Sequence, residues 1–146
     1  MPDRLGGVRS FQFESLTADK IAELIDAEGP KNVVGEANGC NYCLSAHSLL
    51  GKGAGLSPAE IAAAREGASA DPRIAEGLRF AQAIVADRGN VTDADLARVR
   101  AAGYSDGEIG EIVANVALNI FTNYFNQVAA TAIDFPVVKA KVRQAA

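Results

Sequence analysis

Tyr104-Ser105-Asp106-Gly107-Glu108-Ile109 opens the stretch that decides the fold class. The Ser105 hydroxyl can accept from the free amides of a helical first turn, and Glu108 can reach back to the Ser105 amide. Tyr104 and Ile109 have the spacing of a hydrophobic staple across that turn. The residues that follow are apolar around most of a helical circumference: Ile109, Ile112, Val113, Val116, Leu118, Ile120, Phe121, Tyr124, Phe125 and Val128. This pattern predicts a helix over 106–131, covered on several sides by the bundle or by another subunit. Asn115, Asn119 and Asn123 recur at every fourth position and make one polar stripe along it. The stripe is satisfied by backbone or a neighbouring subunit, or it lines a polar cavity near the cysteines.

The same start signal stands at three more places: Leu16-Thr17-Ala18-Asp19, Leu56-Ser57-Pro58-Ala59-Glu60 and Val91-Thr92-Asp93-Ala94-Asp95. Ser57 with Glu60 makes a second capping box, and Pro58 falls at a first helical position, where its missing N–H costs nothing. Gly67, Gly89 and Gly103 follow helical stretches and can supply the left-handed residue that ends a helix. Pro30 should end one helix or open the next. Predicted helices run near 17–27, 31–38, 41–52, 58–66, 72–87, 93–102, 106–131 and 136–144. No segment alternates with period two and β-branched enrichment, so no sheet is expected. The expected fold is an all-α bundle with short loops, a single domain over 1–146.

Composition narrows the function classes. In 146 residues, 49% are apolar and 22% charged, as in an ordinary globular chain, and net charge is −4. Neither nucleic acid nor an anionic membrane suits that balance, because both want a basic face. No window reaches the roughly 18 uninterrupted apolar residues of a membrane span. The start, Met1 to Gly7, lacks a secretory apolar stretch, so a cytoplasmic location is expected. Two cysteines are too few for a disulfide scaffold at this length.

Those two cysteines and the chain's one histidine share an eight-residue window: Cys40, Cys43 and His47. Asn38-Gly39 is a break, and a helix starting just after it puts Cys40 in the first turn. Spacings of three and four then set all three side chains on one face. Two sulfurs so placed can form or open a disulfide with little backbone movement. A helix N-terminus favours the thiolate, and His47 can accept a proton from Cys43 or stabilise its thiolate. Zinc would need further ligands from carboxylate and water. A static disulfide would close too short a loop to stabilise much, and inert buried thiols are the remaining alternative.

Asn38-Gly39-Cys40-Asn41-Tyr42-Cys43-Leu44-Ser45-Ala46-His47 resembles the signature of the AhpD-like alkylhydroperoxidases, within the carboxymuconolactone decarboxylase superfamily. Asn119 to Asn126 and Asp134-Phe135-Pro136 resemble its uncharacterised peroxidase-related branch, and the likeness spans about residues 33 to 140. The resemblance implies an AhpD-like helical bundle assembled as a homo-oligomer (dimer, trimer or hexamer). It implies a thiol-dependent peroxidase that reduces alkyl hydroperoxides, with no cofactor and no metal. Cys43 would match the peroxidatic cysteine, Cys40 the resolving one and His47 the proton-relay histidine. A dithiol, a lipoyl-bearing protein in the best-known branch, would reduce the resulting disulfide.

The family's relay glutamate stands twelve residues before the first cysteine, which here is Glu28, next to the interruption Gly29-Pro30-Lys31-Asn32. Glu36, four before Cys40, is the substitute carboxylate. Three other functions remain in view. The dithiol could serve a thiol–disulfide oxidoreductase or redox sensor that never meets peroxide. The chain could be a non-enzymatic metal-binding or interaction protein. It could be a decarboxylase, although that branch generally lacks the cysteine pair.

Overall fold

The computed structural model describes residues 29–141. The predicted helix 17–27 with its Thr17 cap, and Glu28, lie outside them. The described residues form six α-helices and no strand: α1 Gly29–Ala37, α2 Asn41–Gly53, α3 Pro58–Arg65, α4 Pro72–Ala86, α5 Asp93–Ala101 and α6 Asp106–Val128. The all-helical expectation holds for these residues. Pro30 lies in the first turn of α1, where it leaves no amide unpaired.

The start signals act as the sequence predicts. Ser57 with Glu60 and Ser105 with Glu108 form capping boxes, and Thr92 with Asp95 forms a third with the shorter acid. Asp71 caps α4 by accepting from the Arg73 and Ile74 amides. Gly67, Gly89 and Gly103 all take the left-handed φ expected of a helix stop.

Helix α1 is the hub. It has only nine residues, too few to be stable alone, so packing must hold it. It touches α2, α3, α4 and α6, and Val33 and Val34 are fully buried. They join Leu78, Phe80, Ala81 and Ile84 of α4, Leu96 and Val99 of α5, and Ile109 and Val116 of α6 in one core. Burying aliphatic and aromatic side chains of this size contributes about 1.5–3 kcal/mol each. Helix α4 lies so close to the start of α6 that a Cβ at Gly77 would sit 2.4 Å from the Tyr104 hydroxyl.

Two expectations need correction. The predicted helix 136–144 is not formed over its described part: residues 136–141 run without helical structure. Three of their amides are taken by side chains instead. Val138 N–H donates to Ser45 Oγ (2.8 Å), Ala140 N–H to Asn41 Oδ1 (2.9 Å) and Lys141 N–H to Glu36 Oε1. Arg65 Nη2 donates to the Lys139 carbonyl (2.7 Å), and Phe135 stands edge-on to Tyr42. The tail is thus an extended strap across α1, α2 and α3.

The second correction concerns α6, which ends at Val128 rather than 131; Ala130 is left-handed at φ 47°. Its two halves also differ. Ile109 and Val116 are buried, whereas Phe121, Tyr124, Phe125 and Val128 are exposed by 54% or more. The apolar circumference therefore overstates how far one chain covers this helix. Among the described residues, no helix is long and apolar enough to cross a membrane.

Candidate active site

The turn between α1 and α2 builds the site. Gly39 adopts φ 67°, a left-handed conformation that costs a residue with a Cβ about 1–2 kcal/mol. The reversal lets α2 start at once. Cys40 is the N-cap of α2, outside the first turn where spacing had put it, with extended backbone and its Sγ accepting the Cys43 amide at 3.3 Å. Cys43 follows as the third helical residue, near the positive end of the helix dipole. Both cysteines are reduced and buried, and Cys40 Sγ donates to Cys43 Sγ at 2.6 Å.

That hydrogen bond makes the two thiols unequal. It lowers the Cys43 pKa from 9.0 to about 6; Asn126 and Asn123 help, while burial opposes the shift. Asn126 Nδ2 reaches the Cys43 sulfur at 3.5 Å. Cys40 moves upward, because it supplies the proton and is itself buried. The arrangement therefore favours the thiolate at Cys43 over one at Cys40.

The polar stripe on α6 faces this chemistry. Asn119 Nδ2 donates to the Asn115 carbonyl and side-chain oxygen, both at 2.9 Å. Asn123 Oδ1 accepts from Asn38 Nδ2 at 3.0 Å, and Gln127 Nε2 donates to the Asn38 carbonyl at 2.7 Å. Both bonds tie α6 to the break before Cys40. Asn119 also lines a cavity of about 260 Å³, walled as well by Lys31, Tyr42, Cys43, Ala46, His47, Leu118, Thr122 and Asn126. Asn115 and Asn119 thus bond to each other, Asn123 bonds to Asn38, and of the three it is Asn119 that borders the cavity.

His47 lies in the same wall. Burial, aided by the Lys31 charge, lowers its pKa from 6.5 to about 4, so the ring is neutral at pH 7. Its Nδ1 is buried without a hydrogen-bond partner. A neutral imidazole can pass a proton but supplies no positive charge to the thiolate. Of the two parts the sequence offered His47, proton transfer is the one this environment favours.

The carboxylates behave differently. Glu28 is outside the described residues. Glu36 is not brought to the cavity: its Oε2 accepts from Arg65 Nε at 2.8 Å and Nη2 at 2.6 Å, and its Oε1 accepts from the Lys141 amide. A buried carboxylate is costly unless paired, and Arg65 is the partner it has found. The sequence offered Glu36 as the substitute for the relay glutamate; the structure bonds it to Arg65 and the strap. Among the described residues, no three His, Cys, Asp or Glu side chains converge to hold a metal ion.

Sequence reading missed Asn126 and Lys31. Leu118, Thr122 and Asn126 follow one another at helical spacing, so the cavity face was legible once α6 was placed beside the cysteines. Lys31 gave a weaker signal, a single cation beside a run of apolar residues. One prediction follows from the unequal thiols. Below pH 6 the wild-type Cys43 is protonated and unreactive; above it, alkylation should reach a plateau. In Cys40→Ala the main stabilising hydrogen bond is lost, and the midpoint should rise by about one unit or more. Iodoacetamide rates across pH 4–10 measure it, and an unmoved midpoint would assign the thiolate to another cause.

No curated protein matches the chain. Residues 33–83, which hold Cys40, Cys43 and His47 and run from α1 into α4, match the model of the carboxymuconolactone decarboxylase family, in agreement with the AhpD-like resemblance of the signature.

Proposed function

We propose that the chain is a thiol peroxidase that reduces alkyl hydroperoxides. The observation that carries the reading is the Cys43 sulfur on a cavity wall with the Cys40 sulfur 2.6 Å from it. The thiolate attacks the terminal oxygen of ROOH; the O–O bond breaks, leaving Cys43–SOH and RO⁻. The alkoxide takes a proton through neutral His47, which recovers one from solvent. Cys40–SH then condenses with the sulfenic acid, forming the Cys40–Cys43 disulfide and releasing water. A dithiol reductant, lipoyl-type by the family resemblance, reopens the disulfide by exchange and leaves as its own disulfide. The exposed Phe121, Tyr124, Phe125 and Val128 support assembly into a homo-oligomer, since apolar clusters of this kind mark contact surfaces.

The test is a titration followed by turnover. One equivalent of an organic hydroperoxide should remove two free thiols per chain, and dihydrolipoamide should restore both and sustain hydroperoxide consumption. Thiols lost to a disulfide donor but not to hydroperoxide would instead make the chain a thiol–disulfide oxidoreductase.

A further inference from the structure

We propose that Asn126 is a further catalytic residue, whose side-chain amide binds the hydroperoxide group and stabilises the oxygen that leaves. This rests on the peroxidase reading and names the group that holds its substrate.

Asn126 stands on the wall of the cavity, and its Nδ2 reaches the Cys43 sulfur at 3.5 Å. One N–H is engaged there. Among the described residues, its Oδ1 and its second N–H bond to nothing else. The other polar side chains that α6 sets on that wall are already committed. Thr122 Oγ1 donates to the Asn119 carbonyl at 3.0 Å, and Asn119 Nδ2 donates to Asn115. Most of the cavity surface is apolar, so a polar substrate group finds few partners in it. Asn126 offers both a donor and an acceptor, and offers them beside the reactive sulfur.

The amide is also held in place. Asn123 and Gln127 stand three before and one after it on α6, and both bond to Asn38 in the break before Cys40. These two bonds tie α6 to the start of α2 on either side of Asn126, which keeps its spacing to Cys43. A donor fixed in advance, in water-poor surroundings, stabilises developing charge without having to reorganise during the reaction.

A carboxamide suits ROOH. Its carbonyl accepts the terminal O–H, and its open N–H donates to the inner oxygen. The Cys43 thiolate attacks the terminal oxygen, and the O–O bond breaks with its electron pair passing to the inner oxygen. Charge therefore develops on the atom that the N–H faces. Cys43–SOH and RO⁻ result, and the alkoxide then takes its proton through His47.

Two rates test this at pH 7.5: single-turnover oxidation of Cys43 by tert-butyl hydroperoxide, and its alkylation by iodoacetamide. Their ratio cancels any change in the thiolate fraction. Asn126→Leu should lower the ratio by about a hundredfold, the loss typical of removing one such donor. Asn126→Ala should do the same, which guards against a fault peculiar to leucine. Peracetic acid, whose leaving acetate needs little help, should lose about tenfold less than tert-butyl hydroperoxide does in either variant. Oxidation and alkylation falling in parallel would mean that the amide serves the sulfur alone, and overturns the proposal. So does an equal loss for the two oxidants, which places the amide away from the leaving oxygen. A wild type that alkylates normally yet reacts with neither oxidant rejects the peroxidase reading itself, and the role of Asn126 with it.

Discussion

Replacing Cys43 with serine should lower hydroperoxide turnover by about a thousandfold or more, the loss typical of removing a nucleophile. A serine hydroxyl at this position cannot ionise near pH 6 as the thiol does, and oxygen is a poor nucleophile toward peroxide. Cys40→Ser should fail in another way. Its Cys43 still meets hydroperoxide, but the sulfenic acid has no thiol 2.6 Å away with which to condense. One equivalent of hydroperoxide should then be consumed per chain without turnover, and dimedone should trap the adduct on Cys43 by mass spectrometry. Trapping on the other cysteine in the reciprocal variants would reverse the assignment, which rests on a proton held by Cys40.

Arg65→Met should destabilise the protein by about 3 kcal/mol, the lower end of what breaking a buried pair costs. Glu36 and Arg65 are only 10% and 14% exposed in their side chains. Removing the guanidinium takes two N–H donors and their positive charge from a carboxylate that water reaches poorly. The same substitution removes the donor to the Lys139 carbonyl, so the strap loses one of its ties. Urea unfolding measures the loss. The double variant Glu36→Leu/Arg65→Met should recover most of it, because two apolar groups leave no unpaired charge. A single-variant cost below about 1 kcal/mol would mean that water already screens the pair. Peroxidase activity provides a separate check: Glu36→Gln should keep kcat/KM within about twofold, since its carboxylate serves Arg65 and the strap.

Helix starts were legible because a cap is a local event. Ser57, Thr92 and Ser105 each need only the amides of their own first turn, and a four-residue window contains everything involved. The cysteine face was legible for the same reason, being set by spacing within one helix. The strap was not. Pro136 followed by apolar and basic residues reads as a helix start, and only Ser45, Asn41 and Glu36, about a hundred positions earlier, decide otherwise. Glu36 shows the same limit: it stands four residues before Cys40, and its bond to Arg65 on α3 is one that no local spacing announces. The role of Asn126 depends on how α6 lies against α2, which no local pattern encodes.

Ser45 and Asn41 hold amides that are 93 and 99 positions further along the chain, and Asn126 follows Cys43 by 83. A ribosome making about 5–20 residues per second therefore releases both cysteines several seconds before Asn126 and the strap exist. During that interval the nascent pair is open to any disulfide in its surroundings. The share of the Cys43 shift that Asn126 supplies arrives only when α6 has docked beside α2, whereas the Cys40 hydrogen bond needs only the turn that opens α2.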